Sequence, residues 1–120
     1  MPGKLGDKAR LQHILDAIGE IASFTDGVDF SAFEQDSMLK SACIYQLSII
    51  GEASNHLSDE LKQEYGSIPW GDIVGLRNII IHKYFGVDEK VAWDIIRQDL
   101  PHAYIHTIKT ATLNMTPTRV

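Results

Sequence analysis

One cysteine, Cys43, stands in the 120 residues, so the chain cannot form an intramolecular disulfide or a cysteine-built zinc cage, which suits a reducing compartment. Its flanks, Ala42 and Ile44, predict a buried, inert thiol. Long apolar runs are also lacking: stretches such as Ile79–Ile81 fall far short of the roughly 20 residues that a membrane-spanning helix needs. The first ten residues carry Lys4, Asp7, Lys8 and Arg10 with no apolar run behind them, the pattern of neither a signal peptide nor a cleavage site. The expectation is a cytoplasmic protein with no membrane contact. Basic charge is scarce, with 11 Lys and Arg against 16 Asp and Glu, a formal net of −5, and no run of Lys or Arg. That excludes a broad basic face that coats nucleic acid and a polybasic membrane patch. Any nucleic-acid chemistry has to be local. Only four prolines occur, and 44% of residues are apolar against 22% charged, the composition of one soluble globular domain over residues 1–120.

What is present is helical periodicity. No stretch alternates apolar and polar residues as a half-buried strand does. From Asp7 to Phe24, Leu11, Ile14, Leu15, Ile18, Ile21 and Ala22 lie on one helical face, with Asp7 placed to cap the start. Thr25-Asp26-Gly27 breaks this helix, and Ser31-Ala32-Phe33-Glu34 has the form of a capping box opening a short helix or turn. From Ser37 to Tyr65 no proline intervenes and the stripe Leu39, Ala42, Cys43, Gln46, Ile49, Ile50, Ala53, Leu57, Leu61 predicts one helix of about eight turns. Gly51 in its middle costs about 1 kcal/mol against Ala, so a kink or a close backbone approach is expected there. Gly66-Ser67-Ile68-Pro69 ends the long helix and opens another to about Tyr84, with Ser67 as the cap. Ile73, Leu76 and Ile80 form one stripe of it, Val74 and Ile81 a second, Ile79 a third. A helix apolar on most of its circumference must be covered on most of it, which points to a second subunit. Asp88 is placed to cap the next helix, in which Val91, Ala92, Ile95 and Ile96 repeat; Pro101 kinks it or starts another through Ile108, and a frayed tail follows from about residue 114. The fold class is therefore all-α, an up-and-down bundle of about four or five helices.

Arg77, Asn78 and His82 stand out on the apolar helix, where an unpaired guanidinium would cost several kcal/mol. Arg offers a positive fork suited to phosphate, and His exchanges a proton near neutral pH. Together they are the minimum for metal-free cleavage of a phosphodiester: a base takes the ribose 2′-hydroxyl proton, Arg stabilises charge at phosphorus, and an acid protonates the leaving oxygen. That chemistry selects RNA over DNA. On an uninterrupted α-helix Asn78 and His82 share a face, while Arg77 and His82 diverge by about 140°. Two copies meeting near a twofold axis would bring two Arg and two His to one cleft.

The pattern Arg77-x4-His82-x-Tyr84, with Ile49-Ile50-Gly51-Glu52-Ala53, Ile68-Pro69-Trp70, Tyr84-Phe85-Gly86-Val87-Asp88 and Asp99-Leu100-Pro101, closely resembles the HepT-like branch of the HEPN superfamily from about Asp7 to Pro101. The resemblance implies an all-α homodimer with a composite ribonuclease cleft, catalytic residues Arg77 and His82 with Asn78 in support, and no cofactor. It further implies a toxin whose partner is a minimal nucleotidyltransferase antitoxin that uses ATP to place AMP on Tyr84.

Each residue also has a plainer reading. Arg77 can form a structural ion pair with Glu52 of the neighbouring helix, His82 can be a satisfied core histidine, and Asn78 can bond to interface backbone. Tyr84 can bury its ring and wet its hydroxyl at the end of the bundle, and Lys83 can hold RNA phosphate or stay solvated. His102 and His106, four apart, could face one metal, but no third ligand is evident and no metal is expected. His13 and His56 read as surface; Trp70 and Trp93 read as core or interface anchors. A rival function is a non-catalytic helical subunit that binds a nucleotidyltransferase or its nucleotide.

Overall fold

Asp29 and Asp36 open two helices by the same device, a carboxylate oxygen that accepts a backbone N–H three residues on, from Ala32 at 2.9 Å and from Leu39 at 3.0 Å. The cap of the short helix is thus Asp29, and the expected Ser31 capping box does not form. The computed structural model describes residues 3–78 and 89–114, with side chains described for 6–78, 89–100 and 106–114. Among these, seven helices follow one another: α1 Gly3–Phe24, α2 Phe30–Gln35, α3 Ser37–Asn55, α4 Asp59–Glu64, α5 Trp70–Gly75, α6 Glu89–Asp94 and α7 Ile105–Asn114. A 3₁₀ turn, Leu76–Asn78, extends α5, and a π-helical stretch, Ile95–Tyr104, joins α6 to α7. No strand occurs among the described residues. The all-α expectation stands, with more and shorter helices than the four or five read from periodicity.

The excess arises where the expected eight-turn helix splits. α3 ends at Asn55, and Ser58 caps the separate α4, its Oγ accepting the Leu61 N–H at 3.2 Å. Ser58 is held there by Asp7: one carboxylate oxygen accepts the Ser58 backbone N–H at 2.8 Å and the other its hydroxyl at 2.5 Å. Asp7 therefore does not cap α1; it lies inside that helix, 5% exposed, where a carboxylate needs such donors. One other expected cap changes as well. Pro69, not Ser67, occupies the N-cap of α5, which has no side-chain cap. Pro101 sits within the π-helical stretch Ile95–Tyr104. The expected cap Asp88, the far half of the Pro69–Tyr84 helix and the tail after Asn114 fall on residues 79–88 and 115–120, outside the described residues.

The core is a seam between α1 and α3, closed by the last helices and by α5. Leu11, Ile14, Ile18 and Ile21 meet Cys43, Leu47 and Ile50, with Ile73, Ile96, Leu100 and Ile108 filling the rest, all buried. Each such aliphatic side chain contributes about 1.5–3 kcal/mol. Burial pushes the Cys43 thiol up to about 11, so at neutral pH it is protonated and unreactive. Trp93 anchors α6 against Phe33 of α2, ring centroids 4.8 Å apart. The Arg97 guanidinium lies 4.5 Å over Trp93 and donates to the carbonyls of Thr25 and Val28 across the turn that follows α1. Gly27, at φ +73°, supplies the left-handed residue of that turn. Lys40 and Glu89, 2.6 Å apart, tie α3 to α6.

Gly51 fulfils the close-approach reading. A Cβ built on it would lie 2.4 Å from the Arg77 backbone nitrogen and 3.0 Å from the Val74 carbonyl oxygen. Gly51→Ala should therefore destabilise by about 1–3 kcal/mol in urea unfolding, as overpacking against backbone does, whereas Gly19→Ala, whose Cβ meets nothing within 4 Å, should stabilise slightly. Asp7→Ala should lose about 1.5–3 kcal/mol by the same measurement, since it strands the Ser58 donors.

Candidate functional site

Arg77 is placed by two turns of backbone. α5 closes at Leu76, whose N–H donates to the carbonyls of Ile73 and Val74, and the chain tightens into the 3₁₀ turn Leu76–Asn78. Ile73 and Leu76 enter the core while Arg77 and Asn78 are exposed. This corrects the sequence reading of the Arg77 surroundings. The Arg77 side chain is 42% exposed, so within one chain it bears no burial penalty that a partner must offset. The angle of about 140° between Arg77 and His82 involves residues 79–82, which lie outside the described residues.

The backbone contact at Gly51 fixes α3 against this turn, and the next residue of α3, Glu52, reaches Arg77. Glu52 Oε1 lies 3.7 Å from Arg77 Nη1, while its Oε2 accepts from His56 Nε2 at 2.8 Å. The ion pair anticipated between Arg77 and Glu52 is present. His56, read from sequence only as a surface residue, is exposed yet joined to it; its spacing of four from Glu52 on one helix was the available signal. At 3.7 Å the guanidinium is attracted by the carboxylate without a hydrogen bond. Among the described residues its N–H groups therefore stay open to a phosphate.

His82, Lys83 and Tyr84 lie outside the described residues. The other expected anchors are in place: Trp70 is buried and donates from Nε1 to the Tyr65 carbonyl at 3.2 Å, and Trp93 is buried in its aromatic cluster. His13 and His106 are exposed, and no three His, Cys, Asp or Glu residues converge on a metal position among the described residues. A groove of about 450 Å³ between α1 and α7 is lined by Gln12, Leu15, Asp16, Lys109, Thr112 and Leu113, a set without the Arg and His that phosphoryl chemistry needs. No helix among the described residues is long and apolar enough to cross a membrane.

These residues sit inside a region with known relatives. The family described as "Ribonuclease HepT-like" matches residues 14–109. A Methanocaldococcus jannaschii protein named "Putative RNase MJ1380" is 40% identical over 94 residues, 78% of this chain and 86% of that protein. The "Probable ribonuclease HepT" of Thermococcus cleftensis is 38% identical over 98 residues, 82% of this chain and 89% of the relative. A Caldanaerobacter subterraneus protein, "Putative RNase TTE0752", is 35% identical over 91 residues, 76% and 81% of the two chains. No solved structure matches significantly. With the family match spanning α1 to α7 and both the Gly51-Glu52-Ala53 and Arg77-x4-His82-x-Tyr84 segments within it, the chain belongs to the HepT-like ribonuclease family.

Proposed function

We propose that the protein is a metal-independent endoribonuclease toxin, active as a homodimer whose composite cleft draws Arg77 and His82 from both chains. The observation that carries this reading is Arg77 itself. It is exposed on a turn seated against Gly51, with no hydrogen bond from its guanidinium among the described residues, at the head of the Arg77-x4-His82-x-Tyr84 motif of a ribonuclease-family chain.

In the proposed reaction RNA lies in the cleft with a phosphodiester against Arg77. His82 of one chain, as the neutral imidazole, takes the proton of the ribose 2′-hydroxyl, and the freed oxygen attacks phosphorus. The Arg77 guanidinium stabilises the charge that builds on the non-bridging oxygens. His82 of the partner subunit, as imidazolium, gives its proton to the leaving oxygen as the bond to phosphorus breaks. Asn78, exposed beside Arg77, supports substrate binding through its amide. DNA, which has no 2′-hydroxyl, is not cleaved.

Regulation is assigned to Tyr84. A nucleotidyltransferase antitoxin moves AMP from ATP onto its phenol oxygen and releases pyrophosphate. The added phosphate competes for the guanidinium that RNA needs, and the adenosine blocks the cleft. The net charge of −5 gives some support to the rival reading, a non-catalytic subunit that binds such a nucleotidyltransferase.

Sedimentation at micromolar concentration should give twice the chain mass, and the purified protein should cleave single-stranded RNA in EDTA. Arg77→Ala and His82→Ala should each lower the cleavage rate on the order of 100-fold or more and abolish toxicity without loss of helicity or dimerisation. Full toxicity in either variant at verified expression excludes this site, and the binding-subunit reading then takes its place. Coexpression with the cognate nucleotidyltransferase should add about 329 Da per modified tyrosine, the mass of one AMP residue. Tyr84→Phe should keep its nuclease activity and escape both the added mass and neutralisation.

A further inference from the structure

We infer that Glu52, anchored by His56, is the positioning residue for Arg77: it aims the guanidinium at the substrate phosphate and, by its own charge, weakens the hold on that phosphate. The inference rests on the ribonuclease reading above and adds to it a pair of residues on a different helix.

Geometry and burial both separate this from a structural ion pair. The two side chains are 42% and 56% exposed, and an exposed pair of this kind contributes little to stability. A pair built for strength would be short and bidentate. Here the separation is 3.7 Å, too long for a hydrogen bond, so the carboxylate orients the guanidinium without occupying its donors. The carboxylate is itself held. Its second oxygen takes the His56 hydrogen bond at 2.8 Å, one turn along α3, and the backbone just before it is locked to Arg77 by the glycine contact at Gly51. The arrangement thus fixes the direction from which Glu52 acts. A phosphate arriving at Arg77 meets a guanidinium already aimed, with a negative charge behind it that disfavours tight ground-state binding.

Removing that charge has two effects of opposite sign, and this split identifies the role. Without the carboxylate, phosphate binds more tightly because repulsion is lost. The guanidinium, no longer aimed, serves the transition state less well. A purely structural residue would lower stability and affinity together.

The test uses the full-length protein with two probes, a fluorescein-labelled single-stranded oligoribonucleotide for turnover and its all-deoxy counterpart, which has no 2′-hydroxyl to attack, for binding. Glu52→Gln should bind the deoxy strand about fivefold more tightly, the scale of one unit charge removed a few ångströms away in a solvated site. It should also lower kcat about tenfold while KM falls. His56→Ala should move both quantities in the same direction by a smaller factor, and His56→Gln, which retains a donor, should restore them toward wild type. Glu34→Gln, an exposed carboxylate on α2, controls for net charge and should change neither. Equal binding and equal kcat in Glu52→Gln and wild type overturn the inference, as does a loss of affinity accompanied by a lowered Tm. If the wild-type protein leaves RNA intact, the ribonuclease reading falls, and the deoxy-strand arm alone decides whether Glu52 opposes phosphate at Arg77.

Discussion

The contact on which the candidate site depends is the one that leaves no room for a side chain. α3 passes so close to the turn after α5 that only glycine fits at residue 51, with the Arg77 amide nitrogen 2.4 Å from where a Cβ would lie. A backbone-to-backbone contact of this kind cannot be relaxed by a rotamer change. Everything near it inherits that stiffness. Glu52 follows directly on one side of the joint and Arg77 forms the other, so two charged residues 25 positions apart in sequence are held in a fixed relation while their side chains remain in solvent. The core supports the joint from below, through Ile50 on α3 and Ile73 and Leu76 around the end of α5.

Sequence legibility followed the range of the interactions. The glycine in the middle of an apolar stripe signalled close approach, and the Arg77–Glu52 pair was readable because both residues break apolar surroundings. The lone cysteine between Ala42 and Ile44 read as buried, and it is. The long helix failed for a reason of range. Leu57 and Leu61 stay in phase with α3, so periodicity runs smoothly across a break that is made by Asp7, 51 residues away from Ser58. No local pattern carries that information. The cap of α2 failed for lack of contrast, since Asp29 and Ser31 are both competent caps and only the backbone geometry at Asp29 decides between them.

The site shows the same division. Arg77 and Asn78 stand out by their chemistry, but their exposure is not legible in a sequence that continues one α-helical wheel through a turn that tightens to 3₁₀. In the described part of that helix, Ile73 and Leu76 face inward while Arg77 and Asn78 are exposed. His56 reads correctly as surface, but its link to Glu52 is not legible, because an exposed histidine on a polar helix face looks ordinary until its partner is known.

The tie between Asp7 and Ser58 also bears on the order in which the chain assembles. α4 has six residues, well below the roughly 12–15 at which a helix has appreciable stability alone in water. Its capping serine is held by a carboxylate from α1, a contact of long sequence separation, which forms only after the intervening chain has been closed. α4 is thus a product of docking α1 against α3, not a unit that docks.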